Sequence, residues 1–237
     1  MRIPLIPNTV KLLVILMTIL IFAMSYTGHV RTSMLPFPKL DIEKSYLMLG
    51  WRLSGLTYDR AACTAALNHP STQSRPIKDN PIKNGCGYVN AVRLTKIGGV
   101  STSSVRVSCP MGVALAMWMK QVVQPAAQKH LGTKVSRMKH LGTYACRNIK
   151  GSIFSKYLNR RSEHATANAI DISAFTLKNG GTVNILRDWT KGNAKSAFLK
   201  EIHYGACGYF RVVLGPEANY LHANHFHFDR GMLIRCK

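Results

Sequence analysis

Residues 162–172 read Ser162-Glu163-His164-Ala165-Thr166-Ala167-Asn168-Ala169-Ile170-Asp171-Ile172, and residues 222–229 read His222-Ala223-Asn224-His225-Phe226-His227-Phe228-Asp229. A β-strand sends successive side chains to opposite faces. Read as strands, the second stretch places His225, His227 and Asp229 on one face and Phe226 and Phe228 on the other, toward a core. In the first, Ala169 and Asp171 face one way, Ile170 and Ile172 the other. A sheet carrying both strands presents imidazoles and a carboxylate on one wall. Three of the nine histidines fall within residues 222–227, a density that packing alone does not explain. Imidazole and carboxylate are standard zinc ligands, and a catalytic zinc site keeps three protein ligands and one position for water. Taken with His164 and Asp171, the cluster points to a metal site.

Working outward, a helix is predicted after Cys109. Ser108 is placed to cap it, Pro110 suits its first turn, and Leu115, Trp118, Val122 and Ala126 recur at helical spacing as far as Gly132. Pro125 predicts a kink or a split. A second helix is expected from Ala194 to Tyr204, and short strands over Lys134–Leu141, Asn168–Ser173, Val183–Ile185, Arg211–Leu214 and His225–Asp229. Helices and strands mingle without a βαβ rhythm, so the class is α+β, with a small antiparallel sheet flanked by helices. Trp118 reads as core, and Tyr144 as a residue beside the cleft. Glu163, on a strand or turn, is expected to point away from His164.

The charge is extreme. In 237 residues, 32 Lys and Arg oppose 10 Asp and Glu, a formal net charge of +22. Between Asp79 and Glu163 no acid occurs, against fourteen Lys or Arg. Such a surface suits an anionic polymer such as a cell wall. RRM-type aromatics, zinc-finger spacing and a helix-turn-helix pattern are all missing, so no nucleic-acid partner is expected.

Residues 1–26 read as a signal anchor or signal peptide. Arg2 and Lys11 precede an apolar run from Leu12 to Phe22, and no charge falls between Lys11 and Arg31. This predicts one N-terminal membrane segment, with residues 12–26 holding the protein in the inner membrane, or a secreted form if the segment is cleaved. Residues 27–45, with Pro36 and Pro38, read as a tether, and 46–237 as the folded domain, placed in the periplasm. All six cysteines (Cys63, Cys86, Cys109, Cys146, Cys207, Cys236) follow the apolar segment and none forms a CxxC pair. Disulfides are therefore expected. Near-neighbour pairing (63–86, 109–146, 207–236) is one of fifteen connectivities.

The order S-x-H-x(6)-D followed downstream by H-x-H resembles the D-Ala-D-Ala metallopeptidase superfamily, which includes LAS-type murein endopeptidases and the Hedgehog fold. More closely, Cys109-Pro110, residues 142–147, residues 162–172, Val213-Leu214-Gly215-Pro216 and residues 225–229 resemble the bacterial extensin-like C-terminal domain family, over roughly residues 60–236. The resemblance implies a Hedgehog/DD-peptidase-like zinc peptidase fold. It implies Zn2+ held by His164, Asp171 and His227, with His225 and His222 as catalytic histidines. The implied reaction is hydrolysis of peptide bonds in peptidoglycan stem peptides or cross-links. Arg161 and Arg147 are candidates to grip a peptide carboxylate, and Asp229 to orient His227. The carboxypeptidase branch carries a glutamate base three residues before its last ligand. Here Asn224 stands there, which favours the alternative of a non-catalytic zinc-containing module that binds the cell wall.

Overall fold

In the computed structural model, which describes residues 7–26, 38–149 and 160–237, the strands build one wide sheet and a separate two-stranded one. The elements are α1 (Asn8–Tyr26), α2 (Leu49–Ser54), α3 (Arg60–Leu67), β1 (Gln73–Pro76), β2 (Asn80–Lys83), β3 (Cys86–Tyr88), β4 (Ala91–Ile97) and β5 (Val100–Ser108). They continue with α4 (Cys109–Trp118), α5 (Gln124–Leu131), β6 (Val135–Gly142), β7 (Ala169–Leu177), β8 (Thr182–Asn184), α6 (Ile185–Asp188), α7 (Ala194–Gly205), β9 (Val212–Leu214), β10 (Phe226–Asp229) and β11 (Arg235–Cys236).

The class is α+β, as expected, but the sheet is neither small nor purely antiparallel. Nine strands run in the order β1-β4-β5-β6-β7-β10-β9-β11, with β8 added on β7. The pairs β5–β6 and β9–β11 are parallel. Parallel neighbours need a crossover, and the helical segment from α4 to α5 supplies it between β5 and β6. Strands β1 to β5 escaped the sequence reading because β1 is exposed along its length and the middle of β5 is a Ser/Thr run.

The predicted helix after Cys109 holds, and so does its interruption. Between α4 and α5 the chain widens into a π-turn at Met119–Val123, directly before Pro125. Proline offers no N–H to the preceding turn, and a π-bulge absorbs the mismatch. Gly132, at φ 64°, closes α5 in the left-handed conformation. Ser108 does not cap with its side chain. Its hydroxyl instead donates to Asn168 Oδ1 at 3.0 Å, linking β5 to the start of β7.

Gly112 shows which face α4 covers. A Cβ there would lie 2.9 Å from Val92 Cγ2 and 3.3 Å from Leu94 Cδ1, so the inner face is the one bearing Val92, Leu94 and Val107. Trp118 is fully buried, as expected. Its indole N–H donates to the Ile202 carbonyl at 2.9 Å, and its ring packs edge-on against Phe228 with centroids 5.2 Å apart. Phe226 and Phe228 are likewise fully buried. Each contributes about 1.5–3 kcal/mol by leaving water, and a one-residue slip of β10 would exchange them for His227.

His203 of α7 lies beneath β10, its ring centroid 4.8 Å from that of Phe226 and 5.5 Å from that of Trp189. Burial lowers its pKa to about 4, against a weaker upward pull from Glu217. The folded state therefore holds the neutral ring. Its contribution is complete above the unfolded value of about 6.5 and is lost as pH falls from there toward 4. Expected is a loss of about 3 kcal/mol across that window in wild type relative to His203→Leu, from chemical unfolding of both proteins at several pH values. Parallel profiles would remove His203 as the cause.

The expected membrane segment is not supported. Among the described residues no helix is long and apolar enough to cross a membrane. Helix α1 runs Asn8–Tyr26, but Lys11 leaves an uncharged stretch of only fifteen residues. At 1.5 Å per residue that covers about 22 Å, against a hydrocarbon core of about 30 Å. Of the stretch read as a tether, residues 27–37 lie outside the described residues. Ile42 is buried in the core, and Gln121 Nε2 donates to its carbonyl at 2.7 Å. The disulfides are Cys63–Cys109, Cys86–Cys146 and Cys207–Cys236. Only the last follows the near-neighbour pattern, because strand order, not proximity in sequence, sets which cysteines meet.

Candidate metal centre

Strand pairing builds the site. Strand β10 runs antiparallel to β7 with His227 directly opposite Asp171, Phe226 opposite Ile172 and Phe228 opposite Ile170. Directly opposed residues share a face, with Cβ atoms about 4.5–5.5 Å apart. The two hydrophobic pairs point to Trp118 and the core, so His227 and Asp171 stand on the outer wall. His164 arrives from the 3-10 turn Glu163–Thr166, capped by Ser162 and closed by Ala167 at φ 55°. That left-handed residue reverses the chain so that it enters β7 with Asp171 beside His164.

The ligand atoms of His164, Asp171 and His227 all lie within 4.8 Å of one another. His164 Nε2 is 3.2 Å from Asp171 Oδ1 and 3.3 Å from His227 Nδ1, and His227 Nδ1 is 2.9 Å from Asp171 Oδ1. Bonds of about 2.0–2.2 Å in a tetrahedron put zinc ligands about 3.3 Å apart, so the spacing fits. The outer nitrogens fit as well. His164 Nδ1 lies 2.8 Å from the Thr143 carbonyl, and His227 Nε2 lies 3.0 Å from Asp229 Oδ2. A carbonyl and a carboxylate only accept, so those nitrogens carry the protons. The inner ones then present lone pairs toward the Asp171 carboxylate. Such histidine-to-acceptor bonds fix tautomer and orientation at metal centres.

Converging lone pairs need a positive charge among them. In the protein alone a proton supplies it. Burial opposes charge on His227, but hydrogen bonds to Asp171 and Asp229 overcome it and raise its pKa to about 9. Burial likewise raises the Asp171 carboxyl, yet His164 and His227 beside it hold it well below the usual carboxylate range. A divalent cation meets the same need.

His225 and His222 flank this cluster. His225 Nε2 is 3.6 Å from Asp171 Oδ1, while its Nδ1 donates to Asn224 Oδ1 at 2.7 Å. Asn224 thus holds the tautomer of its neighbour. His222 Nδ1 donates to Asn219 Oδ1 at 2.8 Å, and its ring centroid lies 5.2 Å from that of His225. Burial lowers the pKa of both rings, that of His222 to about 4.

Asp171, His222, His225, His227 and Asp229 line one cleft of about 470 Å³, and His164 closes the ligand cluster from beside it. Arg147 and Arg161 line it too. Arg161 is already committed: its Nε donates to the Asn84 carbonyl at 2.9 Å and its Nη1 to Asn148 Oδ1 at 2.8 Å, bracing the β2–β3 turn. Arg160 and Arg235 also line the cleft, and nothing in a chain so rich in arginine singled them out. Its lip carries Leu221, Met232 and Leu233. Glu163 lines the cleft while His164 does not, and its carboxylate accepts from Asn168 Nδ2 at 2.9 Å. Burial raises its carboxyl pKa, against a hydrogen bond from Asn168. Tyr144 is not among the lining residues; it packs edge-on against Tyr88 with centroids 5.3 Å apart.

The model of the extensin-like protein C-terminus family matches residues 61–237. The chain belongs to that family. The matched span holds the His164, Asp171 and His227 cluster, both flanking histidines and all six cysteines of this extensin-like protein. No curated protein and no solved structure matches it, and the comparisons do not show the expected wider similarity to D-Ala-D-Ala metallopeptidases.

Proposed function

We propose that this extensin-like protein is a zinc-dependent peptidase of the bacterial periplasm that hydrolyses peptide bonds in peptidoglycan stem peptides or cross-links. One observation carries the reading: three inward lone pairs converge at metal-ligand spacing while each histidine's outer nitrogen is tied to an acceptor. Zinc bound there supplies activation of a water and polarisation of the attacked carbonyl. His225, kept neutral by burial, offers Nε2 beside Asp171 to accept the water's proton and return it to the leaving amine. His222 stands beside it to stabilise developing negative charge. Arg147 and Arg235 line the cleft to receive a substrate carboxylate, and Leu221, Met232 and Leu233 to cover its apolar parts. Pairing of all six cysteines agrees with an oxidising compartment. The +22 charge agrees with an anionic wall polymer.

The test uses the full chain, oxidatively folded and zinc-loaded, on cross-linked muropeptides with products read by mass spectrometry. Loss of dimers with matching gain of monomers is expected, and His225→Ala should stop it without releasing metal. A second reading, a zinc-containing wall-binding module, is favoured by Asn224, which carries no base where the carboxypeptidase branch has one. Intact dimers in the presence of one bound zinc per chain would select it. Asp229→Asn is expected to weaken zinc binding about 10–100-fold, through His227 alone. Competition against a chelator measures it, and an unchanged affinity removes Asp229 from this role.

A further inference from the structure

The outer face of the sheet carries a second cleft, at the β1-β4-β5 end, with a volume of about 520 Å³. It shares no residue with the metal-centre cleft. Its polar lining includes Thr72, Ser74, Arg75, Arg93, Thr95 and Ser104, and no acid lines it. Strand register gives it an unusual charge. Arg75 is directly opposite Arg93, and Arg93 is directly opposite Arg106. Like charges so opposed destabilise a sheet. None of the three forms an ion pair with an acid among the described residues. Arg106 has partners in the rings of Tyr88 and Tyr144, each 5.8 Å away. Arg75 and Arg93 are left facing each other.

Two further atoms point to what belongs between them. Thr72 is only 9% exposed, and its hydroxyl is buried with no hydrogen-bond partner among the described residues. Arg93 Nε is buried and unpartnered in the same way. A buried polar group left unpaired costs about 1–3 kcal/mol, so two in one acid-free cleft mark a place for an acceptor. Two guanidinium groups and five hydroxyls surround the space, of which Thr64 and Thr95 already donate to the Arg60 carbonyl and to Gln73 Oε1. A carboxylate has two oxygens to answer them, whereas a phosphoryl group has more acceptors in tetrahedral array and up to two charges.

We propose that this cleft is a binding site for a phosphoryl oxyanion, a phosphate monoester or phosphodiester, separate from the metal centre. Arg75 and Arg93 bracket the anion, Arg93 Nε and Thr72 Oγ1 donate from the buried side, and Ser74 and Ser104 donate from the rim. The anion turns the repulsion between the two arginines into shared attraction.

Calorimetric titration of the full chain with pyrophosphate tests this, with tricarballylate at matched ionic strength as the carboxylate arm and glycerophosphodiester as the diester arm. The Asp171→Asn background removes phosphate binding to any metal. Saturable pyrophosphate binding in that background is expected, at least tenfold tighter than tricarballylate. Arg75→Gln and Arg93→Gln should each weaken it about tenfold, equivalent to 1.4 kcal/mol. Thr72→Val should weaken it severalfold, and Lys200→Gln, on α7, by less than twofold. Arg75 lies on an exposed edge strand, so its variant tests the site even if Arg93→Gln fails to fold. Equal binding by wild type and Arg75→Gln, equal affinity for tricarballylate, or no saturation up to about 10 mM would each overturn the proposal. Tighter binding of the diester than of pyrophosphate assigns the site to a polymer backbone, and the reverse to a terminal phosphate.

Discussion

Asp171→Asn should abolish stoichiometric zinc binding and, with it, hydrolysis. The substitution keeps the side chain's shape and its place opposite His227, so the sheet register survives. It removes the one anionic ligand, and with it one of the two carboxylates, Asp171 and Asp229, that together raise the His227 pKa to about 9. The cluster then offers two neutral imidazoles and an amide. Loss of a ligand exceeds loss of a supporting partner, so affinity should fall by more than about 100-fold. Activity should fall by about 10³ or more, since carbonyl polarisation and water activation are worth several kcal/mol. Metal content by mass spectrometry after dialysis, with circular dichroism to verify the fold, decides it. A folded variant that retains one zinc per chain would sink the ligand assignment.

The second large effect is structural. Removing the Cys86–Cys146 disulfide by a double substitution to alanine should cost about 4 kcal/mol of stability. The bond closes a loop of about 60 residues, and loop-closure entropy for that length gives a loss of this size. The bond also holds the segment that supports His164. Ala145 N donates to the His164 carbonyl at 3.1 Å, Ser162 N donates to the Arg147 carbonyl at 3.0 Å, and Thr143 provides the acceptor for His164 Nδ1. Zinc affinity should therefore fall as well. Urea unfolding of the metal-free proteins separates the two effects, because the stability loss remains when no zinc is present. A loss under about 1 kcal/mol there would show that the strand pairings already hold this segment without the bond.

The candidate site was legible where chemistry and periodicity coincide. Alternation alone assigned Phe226 and Phe228 to the core and His227 to the opposite face, and the same rule assigned Asp171. Pro125 announced the break between α4 and α5, since a missing N–H acts wherever the residue sits. Asp229 was legible as a partner of His227 because two residues along a strand share a face. The apolar run after Lys11 misled: its composition is that of a membrane segment, but its uncharged length is short of one.

What the sequence by itself determined is therefore local: which residues face a core, where a helix must break, which imidazoles and carboxylates share the opposite face, and the family to which residues 61–237 belong. Only the tertiary structure decided that the sheet has nine mixed strands and which cysteines meet. The tertiary structure alone also set Arg75, Arg93 and Arg106 in one row and gave Asn224 the task of orienting His225. The reason is physical. Facing and propensity follow from a residue and its near neighbours, whereas register, crossover and pairing depend on which distant segments pack the core best.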